Sequence, residues 1–282
     1  MQRFLLIVTL LLPFCATAQA QASRSARSYF DRANERYSKG DIDGAIADFD
    51  VAITFDPSLA CAYNNRGNAR LDRGNLEGAL ADYDRAIELT PRFAEAYANR
   101  GNARQLKADL DEAIADLTKA ILINPRLDRA YFNRGNARYA KGELDSAIAD
   151  YDDAIKINPQ LEQAYSNRAN ARGAKGDFQG AIADCDRAIR INPRRAEAYL
   201  ARGAARAARK DFASAIADYD RAIQIEPRLA LAYANRGLAR LIEGHTSEAQ
   251  ADFKQAIKLD SNLECLIEKR VGEVERTLGR KR

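Results

Sequence analysis

The 282-residue sequence has no tryptophan, one histidine, one methionine, four cysteines and seven prolines. Each scarcity removes a class of function. A single histidine, His245, leaves no second imidazole for a histidine metal site, and it falls at a turn between helices, where capping or solvent exposure suits it better than proton transfer. Cys61, Cys185 and Cys265 are far apart and odd in number, so neither a disulfide framework nor metal-ligand spacing is present. They read as isolated thiols packed like small hydrophobes. No glycine-rich phosphate loop and no Ser/His/Asp set occurs. The chain therefore reads as non-catalytic, with no cofactor and no metal.

Long apolar runs are also missing beyond the start of the chain. Phe4 to Phe14 is apolar, follows one basic residue, Arg3, and precedes small-residue cleavage options such as Ala16-Thr17-Ala18. That pattern reads as a cleaved signal peptide over 1–20, too short to span a bilayer, and implies a periplasmic or secreted protein. Lipid anchoring at Cys15 is disfavoured because Phe14 stands where a small residue is required. No other stretch approaches the length of a membrane span. Net charge is small, and residues 26–263 are neutral overall, so the basic face that nucleic acid requires is absent.

What the sequence does have is repetition. "AYANRGNAR" at 96–104 has close copies at 62, 130, 164, 198 and 232, and a looser one at 28. Pro57, Pro91, Pro125, Pro159, Pro193 and Pro227 follow the same 34-residue spacing. Seven units result: 26–59, 60–93, 94–127, 128–161, 162–195, 196–229 and 230–263. We number positions 1–34 within each.

Each unit holds two helices, A over about positions 2–14 and B over about 17–30. Glycine at position 15 closes helix A, with Lys210 standing in its place in unit 6, and Asp or Asn at 16 caps helix B. Asp109 with Glu112 reads as an acidic capping box. Proline at 32 stops helix B. Alanines at 20 and 27 and glycine at 8 allow close helix approach. One hairpin cannot bury its own apolar stripe, so neighbours must stack. Thr246 and Gln250 occupy otherwise apolar positions of unit 7, and Ser261 replaces its turn proline. Residues 264–282 then read as a capping helix, with Ile267, Val271, Val274 and Leu278 on one stripe, followed by a basic tail.

At these positions the chain resembles the tetratricopeptide repeat family: an aromatic at 4, Gly at 8, Ala at 20, an aromatic at 24, Ala at 27 and Pro at 32. "AYNNRGNARLDRGNLEGALADYDRAIELTP" shows all six. The resemblance covers 26–263. It implies an all-α, right-handed solenoid of seven helical hairpins plus a cap, with A helices lining a concave groove, and a protein-binding role. The chain departs from the family pattern in having Arg at positions 7 and 11 of every unit.

At roughly 100° per residue, Tyr97, Gly101, Arg100 and Arg104 fall on one side of helix A, with Asn99 and Asn102 nearly opposite. The arginines require carboxylates. Aspartate recurs as regularly at position 23, and the pairing expected runs from helix B of one unit to helix A of the next: Asp82 with Arg100, Asp116 with Arg134, Asp150 with Arg168, and Asp252 with Arg270 of the cap. The second arginine is less strictly required in this scheme.

The outward asparagines are the ligand candidates: Asn65, Asn99, Asn133, Asn167 and Asn235 at position 6, with Asn34, Asn68, Asn102, Asn136 and Asn170 at position 9. An amide donates and accepts at once, which suits an extended peptide backbone. Phe30, Tyr37, Phe132 and Tyr139 join them toward the N-terminal half, and Leu200, Leu231, Leu238, Leu241 and Ile242 toward the other. Leu238 and Leu241 are alternatively covered by the cap. Lysine is absent at position 5, so a basic clamp for carboxyl tails is not supported. The expected role is an exported adaptor holding an extended segment of a partner protein. The alternatives are a structural subunit of an envelope assembly, of secretion or pilus type, and a polysaccharide binder.

Overall fold

The computed structural model describes residues 21–279. The signal-peptide reading, Cys15 and the last three residues of the basic tail fall outside the described residues. The described chain is all-helical, with 15 helices and no strand. The first seven are α1 (21–38), α2 (Ile42–Phe55), α3 (Ala60–Asp72), α4 (Leu76–Leu89), α5 (Ala94–Leu106), α6 (Leu110–Ile123) and α7 (Asp128–Ala140). Next come α8 (Leu144–Ile157), α9 (Glu162–Ala174), α10 (Phe178–Ile191), α11 (Ala196–Ala208) and α12 (Phe212–Ile225). The last are α13 (Ala230–Ile242), α14 (Thr246–Leu259) and α15 (Leu263–Thr277). Odd-numbered helices up to α13 are the A helices; α3 to α13 start one position earlier than the spacing predicts, and α1 starts six earlier. Even-numbered helices are the B helices. None is long and apolar enough to cross a membrane.

Contacts divide the chain into two bodies, one ending at Ala137 and one beginning at Arg138. In the first, α3 packs on α4 and α5 on α6, while α2 and α4 pack on the A helix that follows them. The second repeats this through α9–α14, and α15 packs on α13 and α14. Successive A helices also touch, as α3 with α5 and α11 with α13.

The core is narrow and made largely of alanine. Phe49, Tyr83, Leu117, Tyr151, Cys185 and Tyr219, all at position 24, are its largest wholly buried apolar side chains. Glycine at position 8 makes room for them: a Cβ on Gly67 would lie 2.6 Å from Tyr83, and one on Gly203 2.6 Å from Tyr219. Cys185 is buried, and burial pushes its thiol up to about 12. Cys61 and Cys265 are exposed, against the expectation of three packed thiols. They sit on outward sides of α3 and α15 that no neighbouring helix covers.

The caps expected at position 16 form at four of the B helices. Asp41, Asn75, Asp177 and Asp211 each accept from the backbone amide three residues on, at Gly44, Gly78, Gly180 and Ser214. Asp109 makes no side-chain cap bond, so the capping box with Glu112 does not form. The cap folds close over a glycine, where a Cβ on Gly78 would meet Asn75 at 2.7 Å, and it lengthens to 3.2 Å where Ser214 carries a Cβ. His245 also makes no cap bond and is exposed. Thr246 and Gln250 are exposed rather than core. On α15, Leu263 and Ile267 are buried and Val271 packs beside them, but Leu278 lies past the helix end and is exposed.

Between the A and B helices, Gly40, Gly74, Gly142, Gly176 and Gly244 have φ between 79° and 92°. Ala108 (φ 67°) and Lys210 (φ 64°) hold the same left-handed conformation with a Cβ. That geometry costs an L-residue about 1–2 kcal/mol. Replacing Lys210 or Ala108 by glycine is therefore expected to stabilise the chain by about 1 kcal/mol in urea unfolding, after the extra unfolded-state entropy of glycine is offset. A loss of stability on either replacement would contradict this reading of the turn.

Candidate functional site

The charged positions of helix A resolve into one repeated cluster. The position-7 arginine grips both carboxylate oxygens of the position-23 aspartate in its own hairpin. Arg66 Nε and Nη2 lie 3.0 and 2.5 Å from Asp82 Oδ2 and Oδ1. For Arg100 and Asp116 the distances are 2.8 and 2.6 Å, for Arg168 and Asp184 2.9 and 2.5 Å, and for Arg236 and Asp252 3.0 and 2.6 Å. The position-11 arginine donates to the same carboxylate: Arg70 to Asp82 at 2.8 Å, Arg104 to Asp116 at 2.7 Å, Arg138 to Asp150 at 2.8 Å and Arg240 to Asp252 at 2.8 Å. Two guanidinium groups thus answer one carboxylate, and the aspartates are almost fully removed from water (Asp82 side chain 4% exposed, Arg66 13%).

This corrects the expected register. Asp82 is held by Arg66 and Arg70, not by Arg100. Arg168 binds Asp184 and Asp152, and Arg134 donates to Thr118 Oγ1 at 3.1 Å. Asp252 is held by Arg236 and Arg240, whereas the nearest carboxylate to Arg270 is Glu273 on its own helix, at 3.7 Å. Positions 7 and 23 face each other inside the hairpin. The next A helix meets helix B two residues further on, at position 25. There Arg66 Nη1 reaches Asp50 at 2.5 Å, Arg100 reaches Asp84 at 2.7 Å, Arg202 reaches Asp186 at 2.6 Å and Arg236 reaches Asp220 at 2.5 Å. The link between hairpins is therefore the aspartate at position 25. Its recurrence at Asp50, Asp84, Asp152, Asp186 and Asp220 was the available signal. Each position-7 guanidinium also lies over the tyrosine one turn before it, as Arg100 over Tyr97 at 5.4 Å.

Charge follows the geometry. The Arg32 hydrogen bond holds the Asp48 carboxyl below the usual carboxylate range. That contribution to stability is present at neutral pH and is lost as pH falls through the lowered value. Burial alone would lower the Arg100 and Arg202 pKa values, but the hydrogen bonds each donates to two aspartates, with the charges of those aspartates, outweigh it, and the net shift is upward.

The asparagines divide into two groups. Within the first body, Asn99 donates to Asn64 Oδ1 (2.9 Å), Asn64 to Asn65 (3.0 Å) and Asn65 to Asn34 (2.8 Å), a chain of amides crossing three A helices. Asn64, at position 5 and nearly buried, was not a sequence candidate. Asn68 accepts from Tyr83 at 2.8 Å, and Asn167 is hydrogen-bonded to Tyr151. Asn136 is half-buried and also has an interaction of its own. Asn102, Asn133 and Asn235 are half-buried and Asn170 is exposed, and the side-chain amides of these four make no hydrogen bond with the described residues. Phe30 packs on Phe49, Tyr37 donates to Asp72 at 2.5 Å, Phe132 is half-buried and Tyr139 is exposed. Burial beside Asp72 pushes the Tyr37 hydroxyl up to about 12. Among the described residues no cluster of His, Cys, Asp and Glu is arranged to hold a metal.

A stack of helical hairpins whose A helices present amides and aromatics has the build of a protein-interaction scaffold. Models of the TPR repeat match residues 33–72, 67–108, 106–142 and 135–176, and models of the tetratricopeptide repeat match 162–195, 196–229 and 230–263. The chain belongs to the tetratricopeptide repeat family. Among solved structures it is similar to YrrB, described as a TPR protein with an unusual peptide-binding site, at 26% identity over 65% of this chain and 95% of that one, with a TM-score of 0.55. It is similar to MamA at 28% identity over 57% of this chain and 94% of that one, with a TM-score of 0.52. A tetratricopeptide repeat protein from Parabacteroides merdae shares the fold at 20% identity, over 89% of this chain and 99% of that one, with a TM-score of 0.65. Among curated proteins, no relative matches.

The pairing predicts its own energetics. Replacing Asp116 by Asn leaves two guanidinium groups facing a neutral amide and should cost roughly 3 kcal/mol. A double-mutant cycle on Arg100 and Asp116 should give a coupling of roughly 2 kcal/mol. The same cycle on Arg100 and Asp82 should stay below about 0.5 kcal/mol. Equal couplings would refute the intra-hairpin register.

Proposed function

We propose that this chain is an exported adaptor that holds an extended segment of a partner protein along its A-helix face. The observation that carries the reading is a pair of unengaged amides within each body taken by itself, Asn102 and Asn133 in the first, Asn170 and Asn235 in the second. An extended peptide presents a backbone N–H and C=O at each residue, and a side-chain amide satisfies one of each. Exposed Tyr139 and half-buried Phe132 supply apolar surface near the first pair in sequence. The likeness to YrrB, whose structure is described as having an unusual peptide-binding site, supports a peptide as the ligand. Export rests on the leader-like pattern of 1–20. A structural subunit of an envelope assembly would instead engage its partner through the B helices or the ends of the stack.

Affinity capture from an envelope fraction, read by mass spectrometry, separates these readings. The parent chain is expected to retain a defined partner. A variant carrying Asn102→Ala, Phe132→Ala and Asn133→Ala should lose at least tenfold of it while keeping its helical circular dichroism. Undiminished capture by that variant would favour the structural-subunit reading. Absence of any partner above background would count against both.

A further inference from the structure

The C-terminal end of the A-helix face differs from the rest. Elsewhere position 9 is commonly Asn, but α11 offers Ala204 and α13 offers Leu238 there. Small Ala207 and Ala208 follow on α11. The result is a cleft of about 400 Å³ between α11, α13 and α15. That volume is within the ~300–1,000 Å³ of ordinary ligand clefts. Its walls are apolar, and two of its leucines stand open to solvent, Leu231 at 46% and Leu266 at 47% exposure. Leu241, expected on the same strip, is buried instead.

Two polar groups at the cleft keep capacity for a ligand: Asn235, and Arg270, whose one ion pair is long and exposed. Asn235 has a free side-chain amide and lines the cleft. Arg270, which the sequence assigned to Asp252, lines it from α15. Its side chain is 61% exposed, and Glu273 one turn on, at 3.7 Å, is its nearest carboxylate. No acidic residue lines the cleft, so its only formal charge is positive. We propose that this cleft takes a peptide segment in which large aliphatic or aromatic side chains are followed by a carboxylate. The apolar side chains enter between Leu231 and Leu266, the carboxylate meets the Arg270 guanidinium, and Asn235 holds the backbone between them. An apolar wall alone would not select a charge; Arg270 does, because a carboxylate there forms a charge-assisted hydrogen bond at an apolar rim. The proposal rests on the adaptor reading and gives it a partner chemistry.

Random heptapeptides displayed on phage can be selected on the purified chain and the enriched sequences synthesised with a fluorescent label for anisotropy. Enriched peptides should carry two large apolar residues within three positions and an Asp or Glu beside them. Leu231→Asp should weaken them at least tenfold. Arg270→Glu, at an exposed position that leaves folding intact, should weaken them at least fivefold and should favour versions in which the acid is replaced by Lys. Enrichment without an acidic preference, or unchanged affinity on Arg270→Glu, overturns the proposal. Peptides that respond to Asn102→Ala and Asn133→Ala but to neither cleft variant leave the adaptor reading standing and remove this one. A library from which nothing is enriched counts against both. A dimer in sedimentation equilibrium that Leu231→Asp abolishes would make the occupant a second copy and overturn the proposal as well.

Discussion

A carboxylate taken almost wholly out of water has to be answered by positive charge, and here Asp48, Asp82, Asp116, Asp184, Asp218 and Asp252 are each answered by two arginines. Asp82, Asp116, Asp184, Asp218 and Asp252 each close a three-residue cluster between the two helices of one hairpin. The first arginine then carries a remaining N–H to the preceding hairpin. Packing alone is weakly directional in a core built mostly of alanine, because small side chains interdigitate little. The bidentate contact, with fixed fork geometry, sets how far and at what angle one helix lies on the next. Bulk at position 24 and its absence at position 8 complete the fit, as Tyr83 against Gly67 shows.

Much of this was legible in the sequence. The 34-residue period, the glycine turns and the stopping prolines place α2 to α14 within a residue of where they are found, whereas α1 begins six residues earlier than they predict. The residue types in the ion cluster were also readable. Their register was not, for a reason intrinsic to repeats. A strict period fixes the position of a partner within a unit but leaves the unit undetermined, and Asp82 lies 16 residues after Arg66 and 18 before Arg100. Only the facing of the helices decides between them.

The same decision explains what is left for recognition. Arginines that looked like ligand groups are engaged by the fold. Several asparagines that looked equivalent are engaged as well, by one another or by buried tyrosines. Equivalent positions differ in the partner their own hairpin supplies: Asn68 accepts from Tyr83, whereas the hairpin of Asn102 has Leu117 at that position, with no hydroxyl to donate. Irregularities in the repeat are therefore the better guide to binding. Ala204 and Leu238 interrupt the asparagine pattern and line the cleft, and Arg270 has, among the described residues, only the exposed Glu273 beside it because Asp252 already has two partners.

The central claim is that the repeated charge serves the fold and the unengaged amides do not. Backbone hydrogen exchange on the chain carrying Asp184→Asn or Asn170→Ala tests it most directly, because it reports protection helix by helix. The account predicts that Asp184→Asn lowers protection across α9, α10 and the adjoining α11, while Asn170→Ala leaves the pattern of the parent unchanged. Full protection in the Asp184→Asn chain, or equal loss in both, would contradict it.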